Sequence, residues 1–392
     1  SNLIFYDQSP WETEIPVQFL INLNYWEKLA GSRVAFSKWI AFSTRTFSEF
    51  TLVEPVFPAK RTTMLGLPDA SVGSYPASKF FDADLLRRGL GVRLFPASDY
   101  YQLASNAPID LAIHFEHKNL EAFSDAYLRE WSFRIPCQTV HAPDGKNGTV
   151  LRVMGRPVKE LICLHPRIVT SSVSVNVFRR IVGGSETVLF LNFDNRLKTA
   201  DSKKALPFLR WRREWHQAAD LYVSKISRPF SAFHFRTGKF FHHHHESRIL
   251  PCLSYILQAL LKESKRRRLE TIFASLDIFG QGESNTYSPQ IRSLLSKVLQ
   301  NQSVFYSGRP ASQTSEQEAP PIILSTPGKA LLDSLIMARA DFWIGSGASS
   351  GYSRLSLEER SRINTNVHRN DTKQVFCDRD SDWTRMTRDR QE

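Results

Sequence analysis

The chain has 392 residues, 42% hydrophobic and 23% charged, the balance of an ordinary globular protein of about two domains. No apolar run approaches the ~20 residues of a membrane-spanning helix, and no basic-then-apolar leader is visible. A formal charge of +12 leaves three partner classes, namely nucleic acid, an anionic membrane surface or an anionic small substrate.

Pro16–Leu23 is an apolar run that predicts a buried strand, followed by a loop through Tyr25-Trp26-Glu27. Val34, Ala35, Trp39, Ile40 and Phe42 then mark one side of an amphipathic helix. Thr51–Phe57 predicts the next strand, so the chain opens as strand, helix, strand, the start of a parallel α/β domain. Residues 58–108 are turn-rich and predict loops or short helical pieces. Leu111–Phe115, Glu160–Val169 and Val188–Phe193 predict further strands. Pro207–Ile226, with Phe208, Trp211, Trp215, Ala219 and Tyr222 on one side, predicts a single long helix whose aromatics belong to a core.

The domain junction is expected beside that helix, with a first domain over 1–228 and a second over 229–392. The second repeats the β/α alternation. Strands are predicted at Phe230–Phe235, Thr271–Leu276, Val304–Phe305 and Asp341–Gly345, and helices at Pro251–Glu263, Pro289–Leu299 and Ala330–Arg339. A Ser/Gln/Glu/Pro-rich loop is read over Arg309–Pro321. Beyond Arg354 the chain is polar, and one packing helix and a tail are expected there. Two doubly wound domains with a cleft between them follow as the expected architecture.

Phe230–Phe235 runs into Arg236-Thr237-Gly238. His234 and Arg236 share a face of the strand, and an arginine and a glycine at a strand's carboxyl end suit an anion. Asp333–Ser353 passes from a helix through a short strand into the glycine- and serine-rich turn Ser346–Gly351, whose N–H groups and hydroxyls suit a phosphate. His242–His245 is a run of four imidazoles, but consecutive side chains diverge, so no metal site is read there. No His-Glu-x-x-His, Gly-x-Ser-x-Gly or Walker-type loop is present, and no aspartate pair is read as a metal–nucleotide clamp. The basic residues fall in small scattered clusters such as Arg87-Arg88 and Lys265–Arg268, without a nucleic-acid signature, so no nucleic acid partner is expected. Cys137, Cys163, Cys252 and Cys377 lack metal spacing, and sequons stand at Asn147, Asn301 and Asn370. Together these predict a secretory-pathway lumen with at least one disulfide. A start at Ser1 rather than Met leads to the expectation of a chain trimmed of a targeting segment or anchor.

His234-Phe-Arg-Thr-Gly238 resembles the His-x-Arg-x-Gly motif of the GDP-fucose O-fucosyltransferases and their α1,6-fucosyltransferase relatives. Ala274-Ser-Leu-Asp277 is similar to a strand that closes in Ala-Thr-Asp in that group, and Asp333–Ser353 to its third motif. The resemblance covers the second half well and rests in the first mainly on residues 16–42 and 51–57. It implies a two-domain GT-B fold, GDP-fucose as donor, inversion at the sugar carbon and no required metal or other cofactor. Carried over by position, Arg236 grips the β-phosphate and helps GDP leave. His234, Gly238, Ser349 and Ser350 hold the pyrophosphate or ribose, and Asp277 and Asp333 order the guanosine side. Glu27, in the loop after the first strand, is the candidate general base, and the first domain is the acceptor side. Two features depart from the group, Lys239 in place of an Asp and Tyr25-Trp26-Glu27 in place of a Gly-Asn loop. They leave open an inactive glycan- or protein-binding module, or another nucleotide sugar.

Overall fold

The computed structural model describes residues 18–22, 29–58, 74–104, 107–115, 134–135, 152–153, 155–165, 168–169, 174–193, 205–226, 228–235, 240, 245–276, 288–306, 326–346, 351–363 and 371–375. By contacts the chain divides into two compact units, Ser1–Trp211 and Arg212–Glu392.

In the first unit β1 (Phe19–Asn22) leads into α1 (Leu29–Thr46) and β2 (Thr51–Val53). The strand expected over residues 51–57 is interrupted at Glu54-Pro55. β3 (Val56–Pro58) leaves the sheet and pairs antiparallel with β4 (Ser74–Pro76). Pro55 has no N–H to continue the ladder, and the Glu54 carboxylate accepts from the Ser78 backbone N–H. Two short helices follow within the turn-rich stretch. Asp82 caps α2 (Ala83–Leu90) by accepting from Leu85 N at 2.9 Å, and Gly91, at φ 61°, ends it. Then come β5 (Leu94–Phe95), α3 (Ala97–Leu103), β6 (Ile109–Phe115), β7 (Arg134–Ile135), β8 (Arg152–Val153), β9 (Arg156–Leu164), α4 (Ser174–Val182) and β10 (Thr187–Phe190).

The sheet order is β5-β2-β1-β10-β6-β9-β7, parallel from β5 to β9, with β7 and β8 antiparallel to β9. Its strands are near-continuous apolar runs because both faces are covered. Trp39 and Phe42 of α1 lie 4.9 and 5.9 Å, ring to ring, from Phe190 of β10. At the carboxyl ends, Asn192 accepts from Phe115 N and donates to Phe115 O, at 2.6 and 2.5 Å.

The segment Pro207–Ile226 is not one helix. A 3-10 turn spans Leu206–Phe208, the backbone is extended at Arg212, and α5 runs only over Arg213–Ser224. Trp211 lies on the first unit's side of the break and stacks on Phe81 at 4.6 Å, whereas Trp215 is buried within α5. One apolar stripe in sequence therefore serves two packing surfaces.

The second unit continues with β11 (Phe230–Phe235), α6 (Ile249–Arg267), β12 (Thr271–Leu276), α7 (Ser288–Val298), β13 (Ser303–Tyr306), α8 (Thr326–Ala338), β14 (Phe342–Ser346), α9 (Gly351–Ile363) and β15 (Thr372–Val375). Its five strands are parallel in the order β13-β12-β11-β14-β15. The chain thus winds outward from β11 to β13, returns to β14, and winds outward the other way. The reversal falls between β11 and β14. Sequence reading did not find β15, whose Thr372-Lys-Gln-Val lacks an apolar run and is held by backbone pairing to β14. The residues 309–321 expected as a loop lie outside the described residues.

Candidate functional site

His234 on β11 is in register with Ser275 on β12 and with Gly345 on β14. Strand alternation turns all three to one face, because their neighbours Phe233, Phe235, Ala274, Leu276 and Ile344 point into the opposite core beneath α6 and α7. The row lies at the carboxyl ends of three strands and straddles the point where the winding reverses. Sheets of this topology take ligands there.

Two helices close on the row. Asp333 of α8 accepts from Ser275 Oγ at 3.3 Å, and Ser353 of α9 lies 3.2 Å from His234 Nδ1. All four side chains are buried. Tyr222 of α5 packs edge-on against Phe273, ring centroids 5.9 Å apart. Burial, together with the nearby Asp333 carboxylate, pushes its hydroxyl up to about 12. At any ordinary pH Tyr222 is therefore a neutral phenol beside a carboxylate. Gly345 has a steric reason. A Cβ there would run into the Trp343 ring and stand 3.3 Å from Ser353 Oγ.

Of the residues singled out from sequence, His234 and Asp333 fall on this face. Glu27, Arg236, Gly238, Asp277, Ser349 and Ser350 lie outside the described residues. Arg236 and Asp277 directly follow β11 and β12 in the chain, and Ser350 directly precedes α9. Sequence reasoning did not identify Ser275, Ser353 or Tyr222. Ser275 carried a signal, as a polar residue within the buried strand Thr271–Leu276; Ser353 carried none, since its partner is 119 residues away.

No group of three or more His, Cys, Asp or Glu that could hold a metal occurs among the described residues. Three Asp-x-Asp spacings are nevertheless present in the chain, Asp82-Ala-Asp84 and the overlapping Asp378-Arg-Asp380 and Asp380-Ser-Asp382. Asp82 is spent on capping α2 and Asp84 stands 3.8 Å from Arg87, so the first pair serves its helix; the other two lie outside the described residues. Among the described residues no helix is long and apolar enough to cross a membrane. Cys163 and Cys252 are both disulfide-bonded.

No protein-family model matches this chain, and no curated protein matches it in sequence. Solved structures do. POFUT1 in complex with GDP-fucose superposes with a TM-score of 0.57 at 11% identity, over 93% of this chain and 99% of that one. Apo POFUT1 gives 0.56 at 12% identity, over the same shares. The fucosyltransferase NodZ from Bradyrhizobium aligns at 0.42 and 12% identity, over 87% of this chain and 93% of that one. The chain has a GT-B fold. Within this GT-B chain, the row Ser275–His234–Gly345 belongs to the second unit, the half for which sequence reading expects the donor nucleotide.

Proposed function

We propose that this protein is an inverting, metal-independent glycosyltransferase that moves fucose from GDP-fucose to a hydroxyl of a protein or glycan. The observation that carries the reading is the braced polar row at the winding reversal of a parallel sheet, in a fold similar to that of POFUT1, which crystallised with GDP-fucose. A nucleotide diphosphate sugar is a compact anion, and the chain's +12 charge suits it.

In this reading the acceptor oxygen attacks the anomeric carbon from the face opposite the diphosphate. The bond to the β-phosphate oxygen breaks, and GDP leaves with the electron pair. Arg236 places two parallel N–H donors on the departing diphosphate, where negative charge grows. His234, Ser349 and Ser350 share that charge. The acceptor proton passes to a carboxylate, for which Glu27 is the candidate. Asp333 and Asp277 order the guanosine.

A thermal-shift panel tests the donor. GDP at a hundred times its dissociation constant stabilises by roughly 2.7 kcal/mol, and the shift should survive EDTA and exceed those of UDP, CMP and ADP. A largest shift from UDP with Mn²⁺ would overturn the assignment. Lys239 favours a second reading, an inactive binding module of the same fold. Consumption of GDP-fucose by the purified protein separates the two, since a pure binder leaves the donor intact.

The same proposal places the protein in the lumen of the endoplasmic reticulum or Golgi, touching membrane only through an anchor. The disulfides at Cys163 and Cys252 suit an oxidising compartment. Asn301 is exposed in the turn between α7 and β13, and Ser303 of its sequon is exposed as well. That turn is at the amino end of a parallel strand, away from the carboxyl-end row. Protein secreted from eukaryotic cells is therefore expected to carry an endoglycosidase-sensitive glycan at Asn301, lost in Asn301→Gln with donor consumption unchanged. Unmodified Asn301 and four free thiols on such material would sink the lumenal assignment.

A further inference from the structure

We infer that Cys252 pairs with Cys377 and Cys163 with Cys137, so that each disulfide closes within one unit and the first staples the edge strand β15 to α6. Cys163 and Cys252 are both buried and both disulfide-bonded. Four cysteines allow three connectivities. The packing of β15 against α6 selects one of them.

A helix between parallel strands runs back against them, so each step forward along β15 meets an earlier turn of α6. Asp371, just before β15, accepts from Arg267 Nη1 at the end of α6, at 2.5 Å. Lys373 comes next, its Nζ 5.4 Å from the centre of the Tyr255 ring. Val375 packs in the core cluster that contains Cys252, Leu253 and Ile256. Residues two apart on a strand share a face, so positions 371, 373 and 375 mark the face turned to α6, and 377 is the next position on it. Cys252 lies three residues before Tyr255, on the same side of the helix. Two residues span up to about 7 Å, and a disulfide needs Cα atoms about 4.4–6.8 Å apart. Cys377 is therefore within reach of Cys252.

Cys163 takes the remaining partner. Its register partner on β7 is Ile135, and Cys137 follows Ile135 by two residues, the diagonal position on the same face of an antiparallel pair. Each bond forms as two thiols give two protons and two electrons to a small disulfide such as oxidised glutathione, which leaves as two thiols. The staple has a use at the candidate site. β15 brings only the short run Thr372-Lys-Gln-Val to the sheet edge, yet it pairs with β14 at Gly345 and Ser346, where that strand enters the glycine- and serine-rich turn.

Protein secreted from eukaryotic cells, alkylated and then digested with trypsin without reduction, tests the pairing by mass spectrometry. Peptide 249–262 should be linked to 374–379, and peptide 135–146 to 160–167. Cys377→Ser should melt about 5–15 °C below the parent and exchange the backbone amides of β15 about tenfold faster. Adding Cys377→Ser to Cys252→Ala should lower the melting temperature little further, because no bond is left to break. A Cys252 peptide linked to 135–146 or 160–167, or found alkylated, would overturn the pairing. So would fully additive losses in the double variant.

Discussion

Arg236→Ala will consume GDP-fucose a few hundredfold more slowly than the parent, a loss of ~3–4 kcal/mol of transition-state stabilisation. Residue 236 follows the last residue of β11, at the strand end next to the winding reversal, where the proposed diphosphate would sit. A guanidinium keeps its charge at every working pH and presents a planar fork to two phosphate oxygens. Arg236→Lys preserves the charge and loses the fork, so it should fall between parent and alanine variant. The measurement is donor consumption by purified variants with matched melting temperatures. An alanine variant turning over donor near the parental rate would mean that the His-Phe-Arg-Thr-Gly segment does not carry the reaction.

The second large effect is expected from the smallest change, Gly345→Ala. One added methyl meets the Trp343 ring, itself 1% exposed and held between β11 and β15. Overpacking of this kind costs typically ~1–3 kcal/mol, which in a unit of this size lowers the melting temperature by about 2–4 °C per kcal/mol. The methyl also presses on Ser353 Oγ, so GDP binding should weaken by an order of magnitude or more. Urea unfolding and a GDP titration on the same preparation check both parts. Unchanged stability together with unchanged affinity would mean that the ring moves aside freely and that the row tolerates a side chain.

The amino-acid sequence by itself determined the alternation of strands and helices in both halves and, in places, their limits. β11 and β12 coincide with the apolar runs Phe230–Phe235 and Thr271–Leu276, because a parallel strand covered on both faces is written as one continuous buried stretch. It also placed His234 on one strand face with Arg236, while Asp333 came from the family resemblance. Their partners were hidden for a physical reason. Ser353 reaches His234 and Ser275 reaches Asp333 across 119 and 58 residues, and local periodicity says nothing about which strand lies beside which. Tertiary structure alone decided the strand order that puts Ser275, His234 and Gly345 in one row. It also divided the Pro207–Ile226 stripe between Trp211, stacked on Phe81, and Trp215, buried in α5, since a helical stripe records that residues are buried but not against which surface. Gly345 makes the same point at the scale of a single atom. Sequence reading left Gly345 as the last residue of the strand Asp341–Gly345, and only the Trp343 ring lying where its Cβ would stand turns it into a packing requirement.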